Sequence, residues 1–225
     1  MKNWIILVFF IVALILNIIG ESKGNIALQY FTKPLLVPLL AFHFIVQLKN
    51  IDTPLMKWVL LALLFSLVGD ILLMFQDKQS IYFLLGLSSF LLAQVFYILF
   101  FFSIKRNEMI SFKLIFIVAV IAFYTGLFYL IYPGLGELKI PVMVYGVVIC
   151  CMLLFALHTL FLKNKIAGLQ MVTGALFFVL SDSLIAINKF YQPLNEARIL
   201  IMVTYGIAQL LIVLGAINYI RTNNK

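Results

Sequence analysis

Two carboxyl groups stand where hydrocarbon is expected. Asp70 closes the run Phe65-Ser66-Leu67-Val68-Gly69-Asp70, and Asp182 closes its later echo, Phe178-Val179-Leu180-Ser181-Asp182. Both lie inside apolar runs long enough to cross a bilayer. The other six acidic residues (Glu21, Asp52, Asp77, Glu108, Glu137, Glu196) fall in short polar breaks between such runs. A carboxylate at membrane depth costs roughly 2.5–3.5 kcal/mol on insertion scales, so an intramembrane acid is a functional candidate by default. The competing structural reading has each acid protonated and bonded to a neighbouring helix. Other polar side chains gather around the pair at helical spacing. Ser66 precedes Asp70 by one turn, and Ser181 and Ser183 flank Asp182. Gln94 and Tyr97 share a face at i, i+3, Tyr205 and Gln209 do so at i, i+4, and Tyr145 offers a further hydroxyl. Taken singly, such groups read as interhelical hydrogen bonds worth about 0.6–2 kcal/mol. Their concentration on the aspartate-bearing helices and the helices that follow outlines a shared polar cavity.

Other chemistries lack their parts. A zinc hydrolase needs three or four ligands such as His and Asp, and this chain has only His43 and His158, each alone in an apolar run and read as a packed polar group. A serine nucleophile would want a Gly-x-Ser-x-Gly elbow or a histidine base, and neither arrangement occurs. Cys150 and Cys151 are adjacent, have no metal spacing, and read as small packing residues. No metal and no cofactor is expected. A pair of carboxyls remains, suited to proton transfer or to ion coupling.

The elements that must position them follow from composition. The 225 residues are 65% hydrophobic and 11% charged, with a mean hydropathy of +1.16. A soluble domain would be about 45–50% apolar and about 25% charged. The fold class is all-α, a polytopic membrane protein with one transmembrane domain over 1–225. Eight helices are expected: Trp4–Ile19, Phe31–Leu48, Leu55–Phe75, Ile81–Ile104, Phe112–Tyr132, Ile140–Leu162, Ile166–Ile187 and Arg198–Ile220. Their lengths suit a hydrocarbon core of about 30 Å. The Met1-Lys2 start resembles a signal peptide, but the first run ends Asn17-Ile18-Ile19-Gly20-Glu21 without a small-x-small site and reads as a retained helix. The net charge of +8 is scattered through the loops, which suits topology signals and lipid head groups rather than nucleic acid.

With the N-terminus inside, ten basic residues (Lys2, Lys49, Lys57, Lys105, Arg106, Lys113, Lys163, Lys165, Arg221, Lys225) fall on the inner side and six on the outer, so both termini are expected in the cytoplasm. The third and seventh helices then run outward. Asp70 lies seven residues before Asp77 and Asp182 seven before Lys189, which places each carboxyl about 10 Å below the outer surface. Lys33, read as opening the second helix on that side, would approach both. Lys33-Pro34 with Lys139-Ile140-Pro141, Asp70 with Asp182, and Ala93-Gln94 with Ala208-Gln209 recur in the same order. They hint at a parallel 4+4 repeat with halves 1–108 and 109–225.

These motifs resemble the YhhN-like lysoplasmalogenase family of multi-span membrane proteins. The matching features are Lys33-Pro34, Ser66 through Asp70, and the fourth-helix run Leu85-Gly86-Leu87 with Phe90 through Ala93 to Tyr97. Gly174 through Leu184 and Tyr205-x-x-Ala208-Gln209 complete the set. One departure is Gln94, where the family usually has histidine. The resemblance implies an eight-span ether hydrolase that cleaves the vinyl ether bond of lysoplasmalogens to a fatty aldehyde and a glycerophospho product. It also implies that Asp70 and Asp182 are the catalytic residues. Vinyl ether hydrolysis suits such a pair: one carboxylic acid protonates the β-carbon, and one carboxylate stabilises the oxocarbenium ion and activates water. Lys33, Ser66, Gln94, Tyr97, Tyr145, Ser181, Tyr205 and Gln209 are then substrate-binding candidates. The expected partners are a lysophospholipid substrate and membrane lipid, a homo-oligomer is left open, and the expected location is a bacterial inner membrane. The alternative is a proton-coupled transporter or receptor for a small amphiphile that uses the same aspartates.

Overall fold

A computed structural model describes residues 4–223; Lys2 and Lys225, which enter the charge count above, lie outside the described residues. Eight helices are each long and apolar enough to cross a membrane: α1 (Trp4–Ser22), α2 (Ile26–Gln47), α3 (Pro54–Leu73), α4 (Ser80–Asn107), α5 (Leu114–Ile131), α6 (Lys139–His158), α7 (Lys165–Phe190) and α8 (Ala197–Asn223). The described residues contain no strand. The chain is an integral membrane protein.

Local chemistry sets the helix ends. The Asn25 carboxamide accepts the Leu28 N–H and caps α2, Thr53 caps α3 ahead of Pro54, and Asn164 accepts the Ala167 N–H at the start of α7. Gly24, at φ +62°, turns the chain between α1 and α2. Because that turn is so tight, α2 begins five residues earlier than the sequence suggests. Lys33 therefore sits at the eighth position of α2, not at its opening, about 10 Å along the helix. Pro34 and Pro38 are accommodated inside the same helix.

The helices alternate in direction. Arg198 at the start of α8 pairs with Asp77 in the α3–α4 turn at 3.5 Å, and Gly134 in the α5–α6 turn abuts the Phe190 carbonyl at the end of α7. These turns therefore share one face. On the opposite face Arg221 donates to Gln47, and Tyr219 and Asn223 donate to Glu108. α8 lies at the centre, packed against α7, α1 and α2 and touching α3, while α4 packs on α3 and α6. The α7–α8 contact depends on small residues. A Cβ at Gly174 would meet the Ile212 nitrogen at 2.8 Å and the Ala208 oxygen at 2.9 Å, and a Cβ at Gly215 would meet the Ala167 oxygen at 3.0 Å. Backbones that approach this closely gain the dispersion contacts that hold helices together in lipid, where no hydrophobic force favours association. α5 is the peripheral helix, with only Val120 and Ile131 buried.

Candidate active site

Asp70 lies in the last turn of α3 and Asp182 two turns before the end of α7. They are enclosed differently. Asp70 is 3% exposed, and its Oδ2 accepts the Tyr205 hydroxyl at 2.7 Å. Behind it the donors point one way. Tyr97 donates to Gln209 Oε1 at 2.7 Å, and Gln209 Nε2 donates to Ser66 Oγ at 3.0 Å and to the Tyr205 hydroxyl at 3.3 Å. Three helices, α3, α4 and α8, thus converge on one carboxyl, each polar group buried and partnered, as burial in low dielectric demands.

Asp182 is half-buried and accepts a short hydrogen bond from the Tyr145 hydroxyl of α6. Gln94 of α4 lies beside that hydroxyl, with its side chain fully buried. A cluster of aromatic rings joins the helices that carry the two carboxyls. Phe178, one turn before Asp182, packs on Tyr205 at 5.7 Å, on Phe90 at 6.3 Å and on Tyr97 at 6.3 Å. Phe90 in turn meets the Tyr205 ring edge-on at 5.9 Å.

Two cavities meet at the Tyr145–Asp182 pair, each enclosing about 450 Å³ out to its open side. One lies among α5, α6 and α7, and the other is walled by α4, α6 and α7 with Leu73 of α3. Val142, Tyr145, Asp182 and Ala186 belong to both linings. Asp70, bonded to Tyr205, lines neither of these two cavities. Asp70 thus belongs to a buried polar network, and Asp182 borders two mainly apolar spaces.

The remaining candidates distribute accordingly. Ser66, Tyr97, Tyr205 and Gln209 join Asp70, while Tyr145 and Gln94 stand at Asp182. Ser181 turns away and donates to the Ile201 carbonyl of α8 at 3.1 Å. His158 is a packed junction: its Nε2 accepts the Lys113 N–H at 3.0 Å. His43 is likewise buried. Among the described residues no group of three His, Cys, Asp or Glu side chains could hold a metal ion. Sequence reasoning missed the Phe90–Phe178 cluster, whose apolar rings give no polar signal. It also missed the Asn17–Thr32 hydrogen bond at 2.9 Å between α1 and α2, which the lone asparagine in the first run could have signalled.

The fold and site define a polytopic helical membrane protein that holds two carboxyls, each tied to a tyrosine, within its bundle. The chain belongs to the YhhN family, whose model matches residues 28–216. It is 36% identical over 164 residues to lysoplasmalogenase TMEM86A of Homo sapiens, an alignment covering 71% of this chain and 65% of that protein. It is 41% identical over 81 residues to human lysoplasmalogenase TMEM86B, covering 36% of this chain and 32% of that protein. A lysoplasmalogenase of Mycobacterium tuberculosis is 32% identical over 162 residues, covering 71% of this chain and 60% of the relative. The matched part of the chain therefore spans somewhat less than two thirds of TMEM86A and of the mycobacterial relative, and about a third of TMEM86B. No solved structure matches.

Proposed function

We propose that this protein is a membrane ether hydrolase that cleaves the vinyl ether bond of lysoplasmalogen-type lysolipids, releasing a fatty aldehyde and a glycerophospho head-group product. The observation that carries this reading is the Tyr145–Asp182 pair at the meeting point of two mainly apolar cavities. The names of the relatives supply the bond. Asp182 is the carboxyl that meets substrate. Tyr145 fixes its Oδ2, and the proton on the other oxygen passes to the β-carbon of the double bond. The positive charge then rests on the carbon bonded to oxygen, and the carboxylates of Asp182 and, at longer range, Asp70 stabilise it. Water adds to that carbon and loses a proton to Asp182, forming a hemiacetal. In the collapse Asp182 protonates the departing glycerol oxygen and takes up the hemiacetal hydroxyl proton, which leaves the aldehyde and restores the acid.

Asp70, sealed by the Tyr97–Gln209–Tyr205 relay, acts through its charge and by locking α3 to α8. We further infer a bacterial cytoplasmic membrane, with the Asp77–Arg198 face outward and both termini inside, as the positive-inside rule favours. We also read the chain as two four-helix halves, 1–108 and 109–225; the α2–α8 contact matches the α4–α6 contact under such a duplication. The deciding test of function is to incubate purified protein in nanodiscs with a lysoplasmalogen and measure free fatty aldehyde. Absence of aldehyde from a well-folded preparation across several head groups would reject the reading.

A further inference from the structure

The two cavities differ in where they lead from Asp182. The α5–α6–α7 cavity extends toward the helix middles: its walls run from Ile131 to Phe123 on α5 and from Val142 to Cys150 on α6. Each stretch is nine residues, eight steps or about 12 Å of helix. Val179, Ile149 and Phe123 lie near the centres of their helices and so near the bilayer midplane. The other cavity leads the opposite way, toward the helix ends at Phe83 and Phe190. There the Lys189 ammonium stands 4.1 Å over the Phe83 ring, so a cation sits beside this cavity's surface end.

We infer that these cavities are two subsites for one single-chain lipid: the α5–α6–α7 cavity takes the first part of the hydrocarbon chain, and the α4-side cavity takes the glycerophosphate, with Lys189 its phosphate contact. This deepens the hydrolase reading and rests on it. Apolar walls that reach the membrane midplane suit an alkenyl chain. A cation at the surface end suits an anionic phosphate, and the bond between chain and glycerol then falls at the junction where Asp182 stands. The poorly buried α5 forms the outer wall, and a chain longer than the cavity can leave past it into the bilayer.

Photo-cross-linking tests the placement without requiring turnover. The probes are two saturated alkyl-ether lysolipids, which this route cannot hydrolyse, one with a diazirine midway along its chain and one with it on the head group. The chain probe is expected on peptides containing Phe123–Phe128 or Gly146–Cys150, and the head-group probe on those containing Phe83–Leu87 or Ile185–Phe190. A reversed pattern, or labelling by both probes on the same peptides, overturns the assignment even if aldehyde is released. Correct labelling without aldehyde release would sink the hydrolase reading and leave the lipid site standing. The second arm compares long- and short-chain substrates. Val179→Trp is expected to lower the long-to-short turnover ratio by about tenfold, the effect of excluding about two methylenes, whereas Leu87→Trp leaves the ratio unchanged. Lys189→Gln is expected to raise KM several-fold at unchanged kcat, the signature of lost uniform binding. An unaltered ratio in Val179→Trp, or an unaltered KM in Lys189→Gln, removes the corresponding subsite.

Discussion

Tyr205→Phe deletes one oxygen atom from the network that encloses Asp70. The ring remains, so its packing on Phe178 and Phe90 is kept and no large cavity forms. The lost oxygen donates to Asp70 at 2.7 Å and accepts from Gln209 at 3.3 Å. Gln209 keeps its other partners, Ser66 and Tyr97, so little is lost there. Asp70, 3% exposed, loses a hydrogen bond that water cannot readily replace. A hydrogen bond to a charged group contributes about 1.5–3 kcal/mol, whereas neutral interhelical bonds in membranes average about 0.6 kcal/mol. Tyr205→Phe should therefore destabilise the fold by about 2 kcal/mol if Asp70 is a carboxylate, and by under about 1 kcal/mol if it is protonated. The assay is a double-mutant cycle with Asp70→Asn, read as reversible unfolding in mixed micelles. Residues in direct contact should show a coupling of about 0.5–3 kcal/mol. Additive effects of the two changes would refute the argument that Tyr205 holds Asp70.

Asp182→Asn keeps shape but removes the proton donor, so aldehyde release should fall about 10²–10⁴-fold, and chelators should leave wild-type turnover unchanged; near-normal turnover in a monodisperse Asp182→Asn preparation would remove this residue from the chemistry. Gln94→Leu removes the buried amide beside the Tyr145 hydroxyl at similar side-chain size, so turnover should fall; unchanged aldehyde release would detach Gln94 from the site. Gly174→Leu forces a Cβ onto the Ile212 nitrogen and the Ala208 oxygen, which should part α7 from α8 and cost at least about 1–3 kcal/mol, seen as early thermal aggregation. A cysteine at Lys78 should react with impermeant maleimide in intact cells, and one at Lys163 only after permeabilisation; the reverse pattern inverts the orientation.

The eight spans were legible in the sequence because hydropathy is a property of each segment, and a segment in lipid must satisfy its own backbone by becoming a helix. Asp70 and Asp182 stood out for the same reason, since a carboxyl in an apolar run needs no tertiary knowledge to be noticed. What the sequence could not determine is which helices become neighbours. Tyr145 was a lone hydroxyl in one run and Asp182 a lone acid in another; only the packing of α6 on α7 makes them a pair. Ser181 looked like a site residue by its position beside Asp182, yet successive helix positions face different ways, and its hydroxyl turned to the α8 backbone. The difference in access between the two acids is likewise tertiary. Asp70 is buried and bonded to Tyr205 from α8, 135 positions away in the chain. Asp182 meets open space because α5 packs loosely beside it. Segment hydropathy therefore determined that two acids lie at membrane depth, and close packing between distant helices decided which of them faces a cavity.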